Sequence, residues 1–185
     1  MATATHTPAT LVPLEDRHVY EAFALIDDNR AFLGEWMPWV ADHTTVEDTL
    51  FMIQRGVAQF TRREGVLAGI WDDGKLAGLT QHVDVDYQNG NTRVTVWLGK
   101  AYQGRGLASR AMRSIMRYSF TQMNIERVEF RCTANNQRAL TMAERLGFVR
   151  EGTLFSALRV GERRRDVALY SMLLADWKER KTGPL

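Results

Sequence analysis

One cysteine, Cys132, stands among 185 residues. That excludes an intrachain disulfide, argues against a thiolate-rich metal site, and makes a reducing cytoplasm the expected compartment. Apolar runs are short, none near the ~20 residues that span a bilayer. Charge of one sign is also lacking. The net charge of +2, with no basic stripe interleaved with aromatics, makes no case for nucleic acid. Residues 1–10, rich in Ala and Thr, have neither the basic n-region nor the apolar h-region of a secretory signal, and they read as a flexible leader. Repeats, linkers and low-complexity tracts are missing too. What is present is 45% hydrophobic content, enough over this length for one domain with a substantial core. That domain is assigned to residues 11–177, with 178–185 a frayed tail.

The chain is organised around Val94–Phe120. Val94, Val96 and Leu98 alternate with Thr95 and Trp97, the period of a strand. After Gly106 the period becomes helical: Ala108, Ala111, Met112, Ile115, Met116 and Ser119 share one face, and Arg110, Arg113 and Arg117 another. Between them, Lys100–Ala108 is a glycine-rich turn that opens a helix. The first N–H groups of a helix have no internal acceptor and lie at the positive end of its dipole, so this is an anion site suited to a phosphate or pyrophosphate. Two phosphate motifs are excluded. Leu107 follows Gly106 where a P-loop carries lysine, and the third spaced glycine of a dinucleotide-binding turn is missing.

Leu11–Leu14 reads as a first strand, and Glu15 and Asp16 as caps of a helix through Val19, Ala22, Phe23 and Ile26 that ends near Asp28 and Asn29. Phe32–Val40, dense in aromatics and broken by Pro38, reads as a loop or a single turn, serving either as core or as a rigid substrate wall. Thr45-x-x-Asp48 has the form of a capping box for a helix carrying Val46, Leu50, Ile53, Val57 and Phe60. Val66–Trp71 and Leu76–Val85 are strands across an Asp73–Gly74 turn, and Asn89–Gly90 turns into the central strand. Beyond the central helix come a strand with Val128, Phe130 and Cys132, then a helix through Ala139, Ala143 and Leu146 stopped by Gly147. A last strand pair, Phe148–Arg159 and Arg165–Leu174, joins near Val160–Gly161. The expected fold class is α/β: one domain with a mixed sheet and helices on both faces.

Gln103-x-x-Gly106-x-Ala108 resembles the Q/R-x-x-G-x-G/A signature of the GNAT acyltransferases, and the order β-α-α-β-β-β-α-β-α-β-β resembles their fold. Asn135-Asn136-Gln137-Arg138-Ala139-Leu140, followed from Glu144 by Glu-Arg-Leu-Gly-Phe148-Val-Arg-Glu151-Gly152, resembles the RimJ/RimL-type ribosomal-protein N-terminal acetyltransferases. Leu25–Arg30 and Trp36-Met-Pro38-Trp39 resemble the same subgroup. The resemblance implies direct acetyl transfer from acetyl-CoA to a primary amine, without a metal. It further implies a mostly antiparallel sheet of about seven strands whose central pair splays at a bulge. The pantetheine arm is then expected in that V, on backbone groups of Trp97, Leu98, Gly99 and Lys100, with Asn136 meeting it from the other strand. The pyrophosphate is expected on Gln103, Gly104, Arg105, Gly106, Leu107 and Ala108, and the adenine 3′-phosphate near Arg105 and Arg110. Many such relatives pair as homodimers.

An α-amino group has a pKa near ~8, so deprotonating it needs only a modest base or a water chain. His82, with an ordinary pKa near ~6.5, is one candidate base and otherwise a structural histidine. Asp84 and Glu35 are candidates to hold the ammonium or take its proton. The resemblance places the oxyanion donor at the backbone N–H of Leu98 or Gly99. This sequence departs from the family at each side-chain role: a frequent strand glutamate is Arg93, and the residues that protonate the leaving thiolate are Ala139 and Ala143. Either a water held by Asn136 supplies that proton or the thiolate leaves unassisted. Cys132 reads as a small apolar strand residue. Arg159, Arg163, Arg164 and Arg165 form either a solvated turn or a surface for an acidic partner, and the RimL resemblance points to an acidic ribosomal protein with an N-terminal serine. The alternatives are a small-molecule amine (polyamine, antibiotic or aminoacyl nucleotide) and a non-catalytic acetyl-CoA sensor.

Overall fold

A computed structural model describes residues 10–182. Its seven strands are β1 (Thr10–Pro13), β2 (Leu67–Asp72), β3 (Lys75–Asp86), β4 (Asn91–Leu98), β5 (Arg127–Thr133), β6 (Val149–Val160) and β7 (Arg163–Leu173). The helices are α1 (Val19–Asp28), α2 (Arg30–Gly34), α3 (Val46–Thr61), α4 (Leu107–Thr121), α5 (Gln137–Leu146) and α6 (Leu174–Thr182). The strands make one sheet in the order β1-β2-β3-β4-β5-β7-β6, antiparallel throughout except for β4 beside β5.

The pleat sends alternate residues of β2 to opposite faces. Leu67 packs with Val19, Ala22 and Leu25 of α1 and Ile53 of α3. Ala68 packs on the other face, with Met112, Ile115 and Met116 of α4 and Leu140, Ala143 and Leu146 of α5. Val94, Val128 and Phe130 complete that second layer. Burying each such large aliphatic side chain favours folding by about 1.5–3 kcal/mol, so the two helical layers clamp the sheet from both sides.

The sheet opens at its centre because its two halves hold different strands. β4 and β5 pair only from Asn91↔Arg127 to Val94↔Phe130. Beyond Val94, β4 stays with β3 as far as Leu98↔Gly78. Beyond Phe130, β5 stays with β7 as far as Thr133↔Val167. The result is a V between the ends of β4 and β5. Gly78 is needed for the close pairing on its β4 side, since a Cβ there would lie 2.8 Å from the Leu98 Cα.

Several expectations change. The piece read as a loop or a single turn, Phe32–Val40, begins with the last three residues of α2 and ends inside a 3-10 turn at Pro38–Ala41. Leu174 begins a helix rather than ending a strand, and α6 continues to Thr182 through residues expected to be frayed. Of the expected leader, Thr10 belongs to β1, and residues 1–9 lie outside the described part. No bulge interrupts β4 at the splay. The register shift falls in β3 between Val83 and Asp86, where Asp84 takes a positive φ of 54°. The expected capping box is present: Thr45 Oγ accepts from Asp48 N–H, and Asp48 accepts from Thr45 N–H.

Candidate active site

Backbone groups along β4 point alternately to its two neighbours. Gly99 N–H donates to Ala77 O at 2.9 Å, on the β3 side. Leu98 N–H therefore faces the open V, and so does the backbone of Val96. Lys100 N–H donates to Asn29 Oδ1 at 2.8 Å. These bonds correct part of the expectation: Gly99 and Lys100 have no free N–H for pantetheine or an oxyanion, whereas Leu98 does.

After a 3-10 turn at Lys100–Tyr102, the chain reaches Gly104 and Gly106, whose φ values are +75° and +72°. Side chains rarely adopt that conformation, and here it turns the chain abruptly into α4. Gly106 is the N-cap and brings no side-chain acceptor, and the first turn of α4 holds no acidic residue. The leading N–H groups at Leu107, Ala108 and Ser109 are thus left to an outside anion, with the dipole uncompensated. Two basic groups flank the loop. Arg138 on α5 hydrogen-bonds Gln103 Oε1, and Arg110 Nη1 donates to Arg105 O at 3.2 Å. Arg105 itself is ion-paired with Asp72 at 2.8 Å.

Across the V, Asn136 caps α5, its Oδ1 accepting from Ala139 N–H at 3.2 Å. Its backbone N–H donates to Thr133 O at 2.9 Å. The amide NH2 of Asn136 makes no hydrogen bond among the described residues and lines the cleft. Cys132 lies on β5, one residue before its end at Thr133. Burial pushes its thiol up to about 11, which fits an apolar strand residue and not a nucleophile.

The opening is a continuous cleft of about 2000 Å³ running between the α4 loop and a wall of Trp36, Met37, Pro38 and Trp39. That exceeds the ~300–1,000 Å³ of usual small-ligand pockets. Trp39 packs against Trp97 of β4 at 6.2 Å between ring centroids, so the aromatic segment is a wall of the cleft as well as packing. Glu35 is exposed beside it and lines the cleft. Asp84 also borders it but is paired with Arg93 at 2.6 Å.

His82 has both ring nitrogens engaged. Nδ1 accepts from Val66 N–H at 3.2 Å, and Nε2 lies 2.9 Å from Ser119 Oγ, whose hydroxyl donates to Ile115 O. Only the tautomer with hydrogen on Nε2 satisfies all three bonds. The side chain is 1% exposed, and burial lowers its pKa to about 4. A base needs a lone pair within reach of the amine, and His82 has none to offer.

Four further residues matter that their own sequence positions did not mark. Asn29 reaches from the end of α1 to the Lys100 backbone, and Arg138 spans to the loop. His43, at the foot of the aromatic wall, bonds the buried Thr49 hydroxyl through Nε2 at 2.7 Å, and burial lowers its pKa. Thr133 ends β5 with a buried hydroxyl. An Asn just past a helix end was the one visible signal among them. Among the described residues no group of three or more His, Cys, Asp or Glu is placed to hold a metal, and no helix is long and apolar enough to cross a membrane.

Residues 9–149 match the model of the acetyltransferase (GNAT) domain. A Bacillus subtilis (strain 168) protein, provisionally named ribosomal N-acetyltransferase YdaF, is 28% identical over 93% of this chain and 94% of its own. The ribosomal-protein-serine acetyltransferase of Escherichia coli (strain K12) is 24% identical over 86% of this chain and 89% of its own. Spermidine N(1)-acetyltransferase of the same strain is 33% identical, over 44% of each chain. Among solved structures, RimL, a ribosomal L7/L12 alpha-N-protein acetyltransferase in complex with coenzyme A, superposes with a TM-score of 0.87. It is 22% identical and covers 95% of this chain and 98% of its own.

Proposed function

The chain belongs to the GNAT acetyltransferase family and is an acetyl-CoA-dependent acetyltransferase, and on that premise we propose that its acceptor is the N-terminal α-amine of a protein. The breadth of the cleft carries this reading, since it has room for a peptide as well as the acyl donor. Of the four carboxylates lining it, Asp48 is bound into the α3 cap and Asp84 to Arg93. That leaves Glu35 and Asp42, fewer anions than a polyamine with several charges calls for. On the β6–β7 hairpin, whose Leu154, Ala157 and Leu158 line the cleft, Arg159 and Arg164 bond backbone carbonyls. Among the described residues none of Arg159, Arg163, Arg164 and Arg165 is ion-paired to a carboxylate. Unpaired guanidinium groups favour an acidic acceptor protein and speed its encounter, in keeping with the ribosomal-protein relatives.

The donor's thioester supplies the acetyl group, and this chain's residues hold and polarise it. The Gln103–Ala108 loop and the start of α4 hold the pyrophosphate. Backbone groups of Val96 and Leu98 continue the pairing of β4 with the pantetheine amides. Leu98 N–H takes the charge that develops on the carbonyl oxygen, the kind of donor worth about 10²–10³ in rate. Asn136 NH2, at the start of α5, meets the arm from across the V. An α-amine with a pKa near ~8 loses its proton to water at the open mouth, and Glu35 receives the ammonium there. His82 has a structural role. The lone half-buried thiol and the acyl donor both fit a cytoplasmic enzyme.

The experiment is thiol release from acetyl-CoA with Ser-, Ala-, Thr- and Met-start peptides beside spermidine and an aminoglycoside. A kcat/KM at least tenfold higher on a Ser- or Ala-start peptide supports the reading. Turnover confined to spermidine or the aminoglycoside would establish the small-amine reading instead, and acetyl-CoA binding without turnover would establish a sensor.

A further inference from the structure

Thr133 is 4% exposed, and its hydroxyl is shut off from solvent with no hydrogen-bond partner among the described residues. A buried hydroxyl left unpaired is unfavourable, and a native site that keeps one usually has a use for it. This residue also borders the cleft. It stands three residues beyond Phe130, the last residue of β5 to pair with β4. On β4, Trp97 stands three residues beyond Val94 and Leu98 four. Thr133 therefore lies across the V at the level of the Leu98 N–H.

The pleat fixes the face. Val128 and Phe130 are in the core under α4 and α5, and Cys132 packs against it. Thr133, one residue on, points to the opposite face, the side where Trp97 packs with α1 and α3 residues. The phosphate loop opens α4 on the first face, so an amine reaching the same thioester comes from the second.

We propose that Thr133 Oγ accepts a hydrogen bond from the acceptor amine and aims its lone pair at the thioester carbonyl. In the free protein the hydroxyl is shut off from solvent although the residue borders the cleft; a turn of χ1 to another staggered well would re-aim it, and the amine would supply the partner it lacks. In the step, the nitrogen–carbon bond forms and the carbon–sulfur bond breaks, with the electron pair leaving on sulfur. The surplus proton on nitrogen passes to water. Thr133 neither gains nor loses a proton. The assignment rests on the acetyltransferase reading but not on which amine is the acceptor.

The test uses bisubstrate conjugates, CoA joined through an acetyl bridge to a Ser-start peptide or to spermidine, with binding measured by calorimetry against CoA alone. Three proteins are compared: wild type, Thr133→Val, which keeps the shape and loses the hydroxyl, and Thr133→Ser, which does the reverse. For whichever conjugate wild type prefers, Thr133→Val should lose about tenfold in affinity, with CoA affinity unchanged and the melting temperature of the free protein not lowered. Thr133→Ser should stay within about threefold of wild type. Equal binding of the preferred conjugate by wild type and Thr133→Val would overturn the proposal. So would a loss in Thr133→Ser with none in Thr133→Val, which marks a packing role, or wild type binding neither conjugate more tightly than CoA. A preference for the spermidine conjugate would overturn the protein α-amine reading and leave the Thr133 comparison intact.

Discussion

Asn29 Oδ1 accepts a hydrogen bond from Lys100 N–H at 2.8 Å, while Asn29 Nδ2 donates to Leu25 O at the same distance. One amide thereby joins the end of α1 to the point where β4 becomes the phosphate loop. Asn29→Ala removes both bonds, each worth about 1 kcal/mol, and frees the loop to wander. The KM for acetyl-CoA should rise about tenfold with kcat nearly unchanged. Steady-state kinetics with saturating acceptor check this, and a lowered kcat at constant KM would contradict it.

Gly106 stands at φ +72° immediately before α4. Alanine there carries the left-handed penalty of about 1–2 kcal/mol, and the loop can escape it only by turning its N–H groups off the phosphate. Gly106→Ala should weaken CoA binding about tenfold or more, as read by calorimetry, while leaving the fold intact by circular dichroism.

Gly78 tests the other wall of the V. A side chain there would press on Leu98 Cα at 2.8 Å and on the Leu98 side chain. Gly78→Ala should move the Leu98 N–H off the carbonyl and lower kcat by about 10², with less effect on CoA affinity. Equal losses in both would mean that the whole pocket had collapsed.

His82 gives a pH signature without taking part in the chemistry. Its folded pKa of about 4 lies below the ordinary 6.5. The unfolded chain therefore binds the extra proton first, and stability falls as pH drops. The contribution is full above about pH 6.5 and disappears progressively toward pH 4; by linkage it is on the order of 3 kcal/mol. His82→Gln should show a flatter melting temperature between pH 7 and 4 than wild type, and should keep the pH dependence of kcat/KM measured above pH 6. Loss of an ionisation from that rate profile would restore His82 as a base.

The difference between what the sequence made legible and what it did not follows from locality. Hydrophobic period, the Thr45 cap, the Asn89–Gly90 turn and the left-handed Gly147 are each encoded within a few neighbouring residues, and they produced the element order. Gly106 and Gln103 were legible because an anion loop is local as well. His82 was not, because its burial depends on Val66, just before β2, and on Ser119 in the last turn of α4. Arg105 looked free for the same reason: Asp72 is brought to it by the fold. The helix α2 is five residues long, too short for its period to stand out from an aromatic cluster. Thr133 carries no signal in sequence at all, since an unpaired hydroxyl is defined by everything around it.

The hairpin arginines predict a dependence on the acceptor's charge. Arg163→Glu with Arg164→Glu should lower kcat/KM for an acidic acceptor protein about tenfold and flatten its salt dependence. The rate on a short uncharged peptide should not change. Equal losses on both substrates would assign the hairpin to the fold and not to recognition.

The acceptor is identified by incubating the enzyme with acetyl-CoA and an acidic ribosomal protein that begins with serine, then locating the new acetyl group by peptide mass spectrometry. The expected product carries one acetyl group on the α-nitrogen of the N-terminal serine, formed in step with one released CoA thiol. An unmodified N-terminus, with acetyl found on spermidine added to the same mixture, would contradict it.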